Sequence, residues 1–319
     1  TSFFYTNDAL TSSNTNKVSN VTAVMADVTL GAMKSITTYS GNEGEEKAQV
    51  TYNYNFDGNQ IKTITSFTYT NDALTLSTTN KAANVTGDTA AVEIGAKKSE
   101  TVYTGNEGEE KAQKTYNYNF DGDQIKTVTS FTYTNDALTL STTNKVSNIT
   151  AVMADVTLGA KKSETVYTGN EGEEKAQKTY NYNFDGDQIK TVTSFFYTND
   201  ALTSSNTNKV SNVTAVMADV TLGAMKSITT YSGNEGEEKA QVTYNYNFDG
   251  NQIKTITSFT YTNDALTLST TNKAANVTGD TAAVEIGAKK SETVYTGNEG
   301  EEKAQKTYNY NFDGDQIKT

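Results

Sequence analysis

Large side chains occupy every second position of Val50-Thr51-Tyr52-Asn53-Tyr54-Asn55-Phe56, with small polar residues between them. A period of two is the spacing of one face of a β-strand, so this run predicts a half-buried strand. Asp57-Gly58 follows and predicts a two-residue hairpin turn, whose central residues both take positive φ. From Ile61 to Tyr69 the alternation resumes, and pairing across the turn sets Tyr54 opposite Ile61. Asn71-Asp72 predicts a second short turn, which sets Tyr69 opposite Leu74 and Phe67 opposite Leu76, all on one face.

Upstream, a strand near Leu30 to Tyr39 and one starting near Ala48 flank Gly41-Asn42-Glu43-Gly44-Glu45-Glu46-Lys47, a polar loop rich in glycine. A hairpin symmetric about Glu43 sets Ile36 opposite Val50. The positions equivalent to Ile36 and Val50 hold Glu100 with Lys114 and Glu164 with Lys178, so an apolar cross-strand pair reads as exchanged for an opposite-charge pair. The stretch Lys17 to Leu30 predicts two short strands. Val21, Val24 and Val28 also fit a helical spacing, but β-branched content and Gly87 in the next copy count against a helix. The result is an antiparallel meander of about five to six strands per module. Its apolar face, a composite of two copies, is Leu30, Ile36, Val50, Tyr52, Tyr54, Phe56, Ile61, Phe67, Tyr69, Leu74 and Leu76. That face must be covered, either by the sheet curling on itself or by another module or chain.

The pattern recurs every ~64 residues without a gap: TSFFYTNDAL stands at 1 and 193, and TSFTYTNDAL at 65, 129 and 257. Five modules follow, at 1–64, 65–128, 129–192, 193–256 and 257–319, and residues 1–127 return letter for letter as 193–319. A module of this size alone buries only about 60% of its unfolded surface, so support from neighbours is expected. The fold class is therefore all-β, with tandem ~64-residue antiparallel β-meander repeats stacked into a continuous fibre or solenoid-like array. Stopping one residue short of a repeat boundary suggests a window on a longer polymer.

Composition narrows the chemistry. The chain has no Cys, His, Pro, Trp or Arg, so it lacks an imidazole base, a thiolate, a guanidinium clamp and any soft or imidazole metal ligand. No enzyme activity and no cofactor are expected. A net charge of -12, with lysines scattered among acids, opposes nucleic-acid binding. No apolar run approaches the ~20 residues that cross a bilayer as a helix. Abundant Thr, Asn, Ser, Tyr and Gly lean towards an extracellular or cell-surface location.

Each module carries one Asn-x-Thr sequon, at Asn20, Asn84, Asn148, Asn212 and Asn276. These are the candidate glycosylation sites, set against the alternative of one chance sequon copied by the repeat. Glu43, Glu45 and Glu46, or Asp121 with Asp123, offer hard oxygen ligands for Ca²⁺, but turn and loop chemistry accounts for them better and no metal site is assigned. Acid pairs for glycoside hydrolysis lack any sign of a pocket. Tyr52, Tyr54 and Tyr69 could stack on sugars, although their strand spacing reads as core.

Thr51-Tyr52-Asn53-Tyr54-Asn55-Phe56-Asp57-Gly58 through Ile61, followed by Phe67-Thr68-Tyr69-Thr70-Asn71-Asp72-Ala73-Leu74, resembles the tyrosine-aspartate repeats of Rhs-type bacterial surface and secreted proteins. The resemblance covers roughly half of each module and implies hairpins aligned into one long sheet in a secreted β-rich array. It departs where the family's Gly-Arg-Leu reads Gly58-Asn59-Gln60-Ile61, and where Lys17 to Leu30 has no counterpart, so toxin encapsulation is not carried over.

Taken together, the expectation is a structural segment of an extracellular repeat fibre that associates with neighbouring modules or chains, with possible covalent glycans. The alternative is the stalk of a bacterial adhesin whose binding tip lies outside this window. Ice or mineral binding by rows such as Thr63 and Thr65 ranks last, because Ile61 and Phe67 interrupt them.

Overall fold

The computed structural model describes residues 1–20, 24–297 and 302–318. Val21 of the helical-spacing alternative lies outside them. The described residues form 21 β-strands and three single-turn 3-10 helices, so the all-β meander is what the chain adopts. Two compact units divide the chain, one built from residues 1–131 and 144–159 and the other from 132–143 and 160 onward.

In the first unit the strands are β1 (Ser2–Thr6), β2 (Ala9–Val18), β3 (Leu30–Ser40), β4 (Lys47–Tyr54), β5 (Ile61–Thr70), β6 (Ala73–Ala82), β7 (Ile94–Thr104) and β8 (Lys111–Tyr118). β9 (Ile125–Thr134) and β10 (Ala137–Val146) contribute residues to both units. Each of β1 to β8 pairs antiparallel with the next strand in the chain. The second unit continues in the same way through β11 (Leu158–Thr168), β12 (Lys175–Tyr182), β13 (Ile189–Thr198), β14 (Ala201–Val210) and seven further strands to Lys318. Among the described residues no pairing of a first strand with a last one closes either unit into a barrel.

A repeat therefore contributes four strands rather than five to six. Among the described residues the two short strands expected between Lys17 and Leu30 do not form: β2 runs to Val18, β3 starts at Leu30, and the equivalent 83–93 and 147–157 are loops. Met153–Asp155 makes a single 3-10 turn there. Met153 and Val156 of this loop pack onto the sheet, while Ile149 and Val152 stay exposed.

Asn71-Asp72 is a two-residue turn between Thr70 and Ala73, with φ of 49° and 69°, as the primed hairpin turns require. Asp57-Gly58 is not. It sits inside the six-residue loop 55–60, closed by Asn55 N–H to Gln60 O at 2.8 Å, and of the two only Gly58 takes a positive φ, at 68°.

Bulges decide the rest of the register. Tyr54 faces Ile61 and Tyr69 faces Leu74 as the turns predict, but a bulge beyond Thr68 sets Phe67 opposite Ser77 and Thr68 opposite Leu76. In the β3–β4 hairpin a bulge beyond Thr38 sets Val50 opposite Thr38 and Ile36 opposite Tyr52. The same shift sets Lys114 opposite Val102 and Glu100 opposite Tyr116, so the cross-strand charge pair is not formed. An extra residue in a strand also reverses its alternation. Lys62 is such a residue, and it brings Ile61 and Ile64, 2% and 3% exposed, onto one face while Thr65, Phe67 and Tyr69 fall on the other. The eleven-residue apolar face thus splits between both sides of the sheet.

The covered side holds the core. In the first unit Tyr116, Ile125 and Val128 are buried, with Val102, Tyr118, Val146, Met153 and Val156 packed around them. Tyr180, Ile189 and Val192 repeat this in the second unit, with Met217 and Val220 from the loop above. The long loop of the next module is the cover that the strands lack. The opposite side carries hydroxyl pairs across strands, such as Thr37 with Thr51 and Thr65 with Thr79, each at 2.9 Å.

Candidate functional site

The five sequon asparagines sit where β2-type strands enter the long loop, and all five make the same two bonds. Asn20 Nδ2 donates to Asp27 O at 2.7 Å, and its Oδ1 accepts from Thr29 N–H at 2.8 Å. Asn148 does so with Asp155 O and Thr157 N–H, at 2.8 and 2.9 Å. Asn84, Asn212 and Asn276 repeat the staple. The residue after the asparagine points outward: Val85 is 80% and Ile149 83% exposed. Each amide closes its loop with one donor hydrogen and one acceptor, and Nδ2 retains a second hydrogen.

This loop is held down from the repeat before it. Ile61 N–H donates to Thr86 O at 2.7 Å and Ile125 N–H to Thr150 O at 2.8 Å. In the second unit Ile189 N–H and Ile253 N–H bond Thr214 O and Thr278 O in the same way. Replacing Asn148 by Ala removes both staple bonds, which lie at the exposed surface, so the loop should loosen by about 0.5–1.5 kcal/mol per bond. Proteolysis of the 147–157 segment checks it: cleavage should rise sharply in Asn148→Ala, and an unchanged cleavage rate would show that the amide does not hold the loop.

Two kinds of repeat differ beneath the loop. Where one kind has Met33 and Ile36, the other has Lys97 and Glu100, or Lys161 and Glu164. Lys161 Nζ lies 2.7 Å from Glu164 Oε1, and Tyr182 OH donates to Glu164 Oε2. Thr142 Oγ1 adds a bond at 3.4 Å, and the lysine lies 5.0 Å from the Tyr182 ring centre. Residues three apart in a regular strand face opposite ways. In β7 the step from Thr79↔Ser99 to Asn80↔Lys97 makes Lys98 an extra residue, and this bulge puts Lys97 beside Glu100 at 2.8 Å. Burial first, and then the bond to Glu164, push the Tyr182 hydroxyl well above its ordinary value; Tyr118 beside Glu100 behaves alike.

At the other end of the strands the acidic loop is structural as well. Glu110 accepts from Leu74 N–H at 2.7 Å and from Gly108 N–H at 2.9 Å, tying the β7–β8 loop back to the bulge of β6. Glu46 does the same for Leu10 and Gly44. Asp123 accepts from Asn119 Nδ2 at 2.6 Å within its own loop. Among the described residues no group of three or more acidic side chains is placed to hold a metal ion. The Leu74 amide first of all holds the Glu110 carboxyl below its ordinary 4.5, and the Leu202 amide does so for Glu238. A depressed carboxyl contributes stability above that ordinary value and loses it as pH falls through the folded one. The melting temperature should therefore drop between about pH 5 and about pH 3; a flat profile over that range would contradict the assignment.

Between successive acidic loops lies a cleft above a short turn. In the first unit its volume is about 570 Å³, and Phe67, Tyr69, Asn42, Gln49, Asp72 and Lys47 line it. Lys47 Nζ lies 2.6 Å from Glu107 of the following repeat and 3.3 Å from Asp72. Tyr54 and Tyr69, offered by the sequence as sugar platforms or core, spend their hydroxyls on Gly87 O and Ala48 O, each at 2.8 Å. Sequence reasoning missed this cleft because its residues come from three separate connections.

No protein-family model matches the chain. No curated protein matches it either. Among solved structures it is similar to a porin-like protein from Bacteroides uniformis, at 11% identity over 78% of this chain and 93% of that one, with a TM-score of 0.28. A likeness of that degree carries no inference about function. Among the described residues no helix is long and apolar enough to cross a membrane.

Proposed function

We propose that this chain is a structural segment of an extracellular repeat fibre or surface filament, without catalytic activity. The observation that carries the reading is the overlap between repeats: the core built on Ile61 and Ile64 is closed by the loop of the next repeat through Thr86 O, and likewise at Ile125, Ile189 and Ile253. A module closed only by its successor gains stability from being in an array, as solenoids do. Strand edges along such an array are paired by the next module, and further chains can add in the same way. The resemblance to tyrosine-aspartate repeats fits a secreted array of hairpins.

Glycans at Asn20, Asn84, Asn148, Asn212 and Asn276 belong to this proposal, each using the amide hydrogen that the loop staple leaves over. Light scattering over a range of concentrations tests the self-association. Species well above the 34.5 kDa of one chain should grow with concentration. A monodisperse monomer throughout would refute it.

A further inference from the structure

The turn end of each unit holds a cleft that a purely structural role leaves unused. In the second unit it measures about 700 Å³, with Phe195 and Tyr197 among its lining and the amides of Asn170 and Gln177 beside them. The cleft at Phe67 and Tyr69 in the first unit is the same site 128 residues earlier. Both volumes fall within the about 300–1,000 Å³ usual for small-molecule sites.

We propose that these clefts are carbohydrate subsites that take sugar residues of a neutral polysaccharide. Aromatic rings offer a flat apolar surface for the C–H face of a pyranose, and the side-chain amides match paired hydroxyls as both donors and acceptors. The charge pattern selects the class of sugar. Lys175 Nζ is held 2.5 Å from Asp200 and 3.4 Å from Glu235, so the one cation lining the cleft is already matched by carboxylates. With a net charge of -12 on the chain, an acidic polysaccharide is repelled. Two weak sites on one chain convert a modest affinity for a single sugar into firm retention on a long polymer. This role stands whether or not the chain assembles into fibres.

Calorimetric titration of the whole chain with the neutral hexamers of glucose and of N-acetylglucosamine, and with oligogalacturonate as the acidic control, tests the idea. One or both neutral hexamers should bind at about millimolar concentration or better, and oligogalacturonate should not. Gln177→Ala removes an amide from the second-unit site alone, so that site should weaken about two- to tenfold. The double variant Phe67→Leu with Phe195→Leu should abolish binding at both sites while circular dichroism stays unchanged; if it unfolds, Gln177→Ala alone decides. No binding of either neutral hexamer, equal binding of oligogalacturonate, or an affinity untouched by Gln177→Ala would overturn the proposal.

Discussion

Lys161→Met alone should destabilise its repeat by about 3 kcal/mol, and adding Glu164→Ile should recover most of that loss. The single change strands a carboxylate that is only 7% exposed and keeps just the tyrosine and threonine hydroxyls as partners. Breaking a buried pair costs about 3–5 kcal/mol in general, and the lower end applies because the Lys161 side chain is 31% exposed. The double variant rebuilds the Met33 and Ile36 arrangement that the chain already uses elsewhere, so it should lie within about 1 kcal/mol of the parent. Hydrogen exchange of β11 reads this out, since its sequence LGAKKSETVYT occurs once in the chain. Exchange should accelerate on the order of 100-fold in the single variant and return near the parent rate in the double. Equal rates in both would mean that the pair does not act as a unit. Alkali should weaken the same cluster: with the folded tyrosine pKa raised, its contribution is complete below about pH 10 and is lost as pH rises beyond it.

Gly186→Ala should be more damaging than Gly172→Ala, although both glycines have similar backbone angles. Their φ values are 74° and 80°, so each alanine pays the left-handed strain of about 1–2 kcal/mol. A Cβ at Gly172 meets nothing within 4 Å, whereas at Gly186 it would lie 2.3 Å from the Lys161 backbone nitrogen. That contact forces the loop away from β11, for a total of about 3 kcal/mol or more. Comparing thermal unfolding of the two variants isolates the close approach from the strain, and equal losses would show that the loop does not rest on the strand.

Much of the fold was legible because alternation and turn chemistry are local. Asn71-Asp72 announced its turn, and the Tyr54 and Ile61 pairing, read across a two-residue Asp57-Gly58 turn, holds because the six-residue loop that forms there has the same centre. What the sequence hid were the bulges. A bulge such as Lys62 or Lys98 leaves no composition signal, yet it shifts the register by one and changes which side chains share a face. A further bulge, in the β7–β8 hairpin, moves Lys114 away from Glu100, and the bulge at Lys98 brings Lys97 of its own strand beside it instead. The long loop misled for a different reason: Met153 and Val156 are apolar because they cover a core, while Ile149 and Val152 are exposed, and together their spacing imitates a strand or helix. The repeated asparagines were legible as positions, and the staple became visible only once the loop closed around them.

Cryo-electron microscopy of the purified protein tests the central claim most directly. A repeat array that associates through its modules predicts ordered filaments with an axial repeat and added density at Asn20 and its equivalents. Isolated, monodisperse particles without lateral or axial association would contradict it.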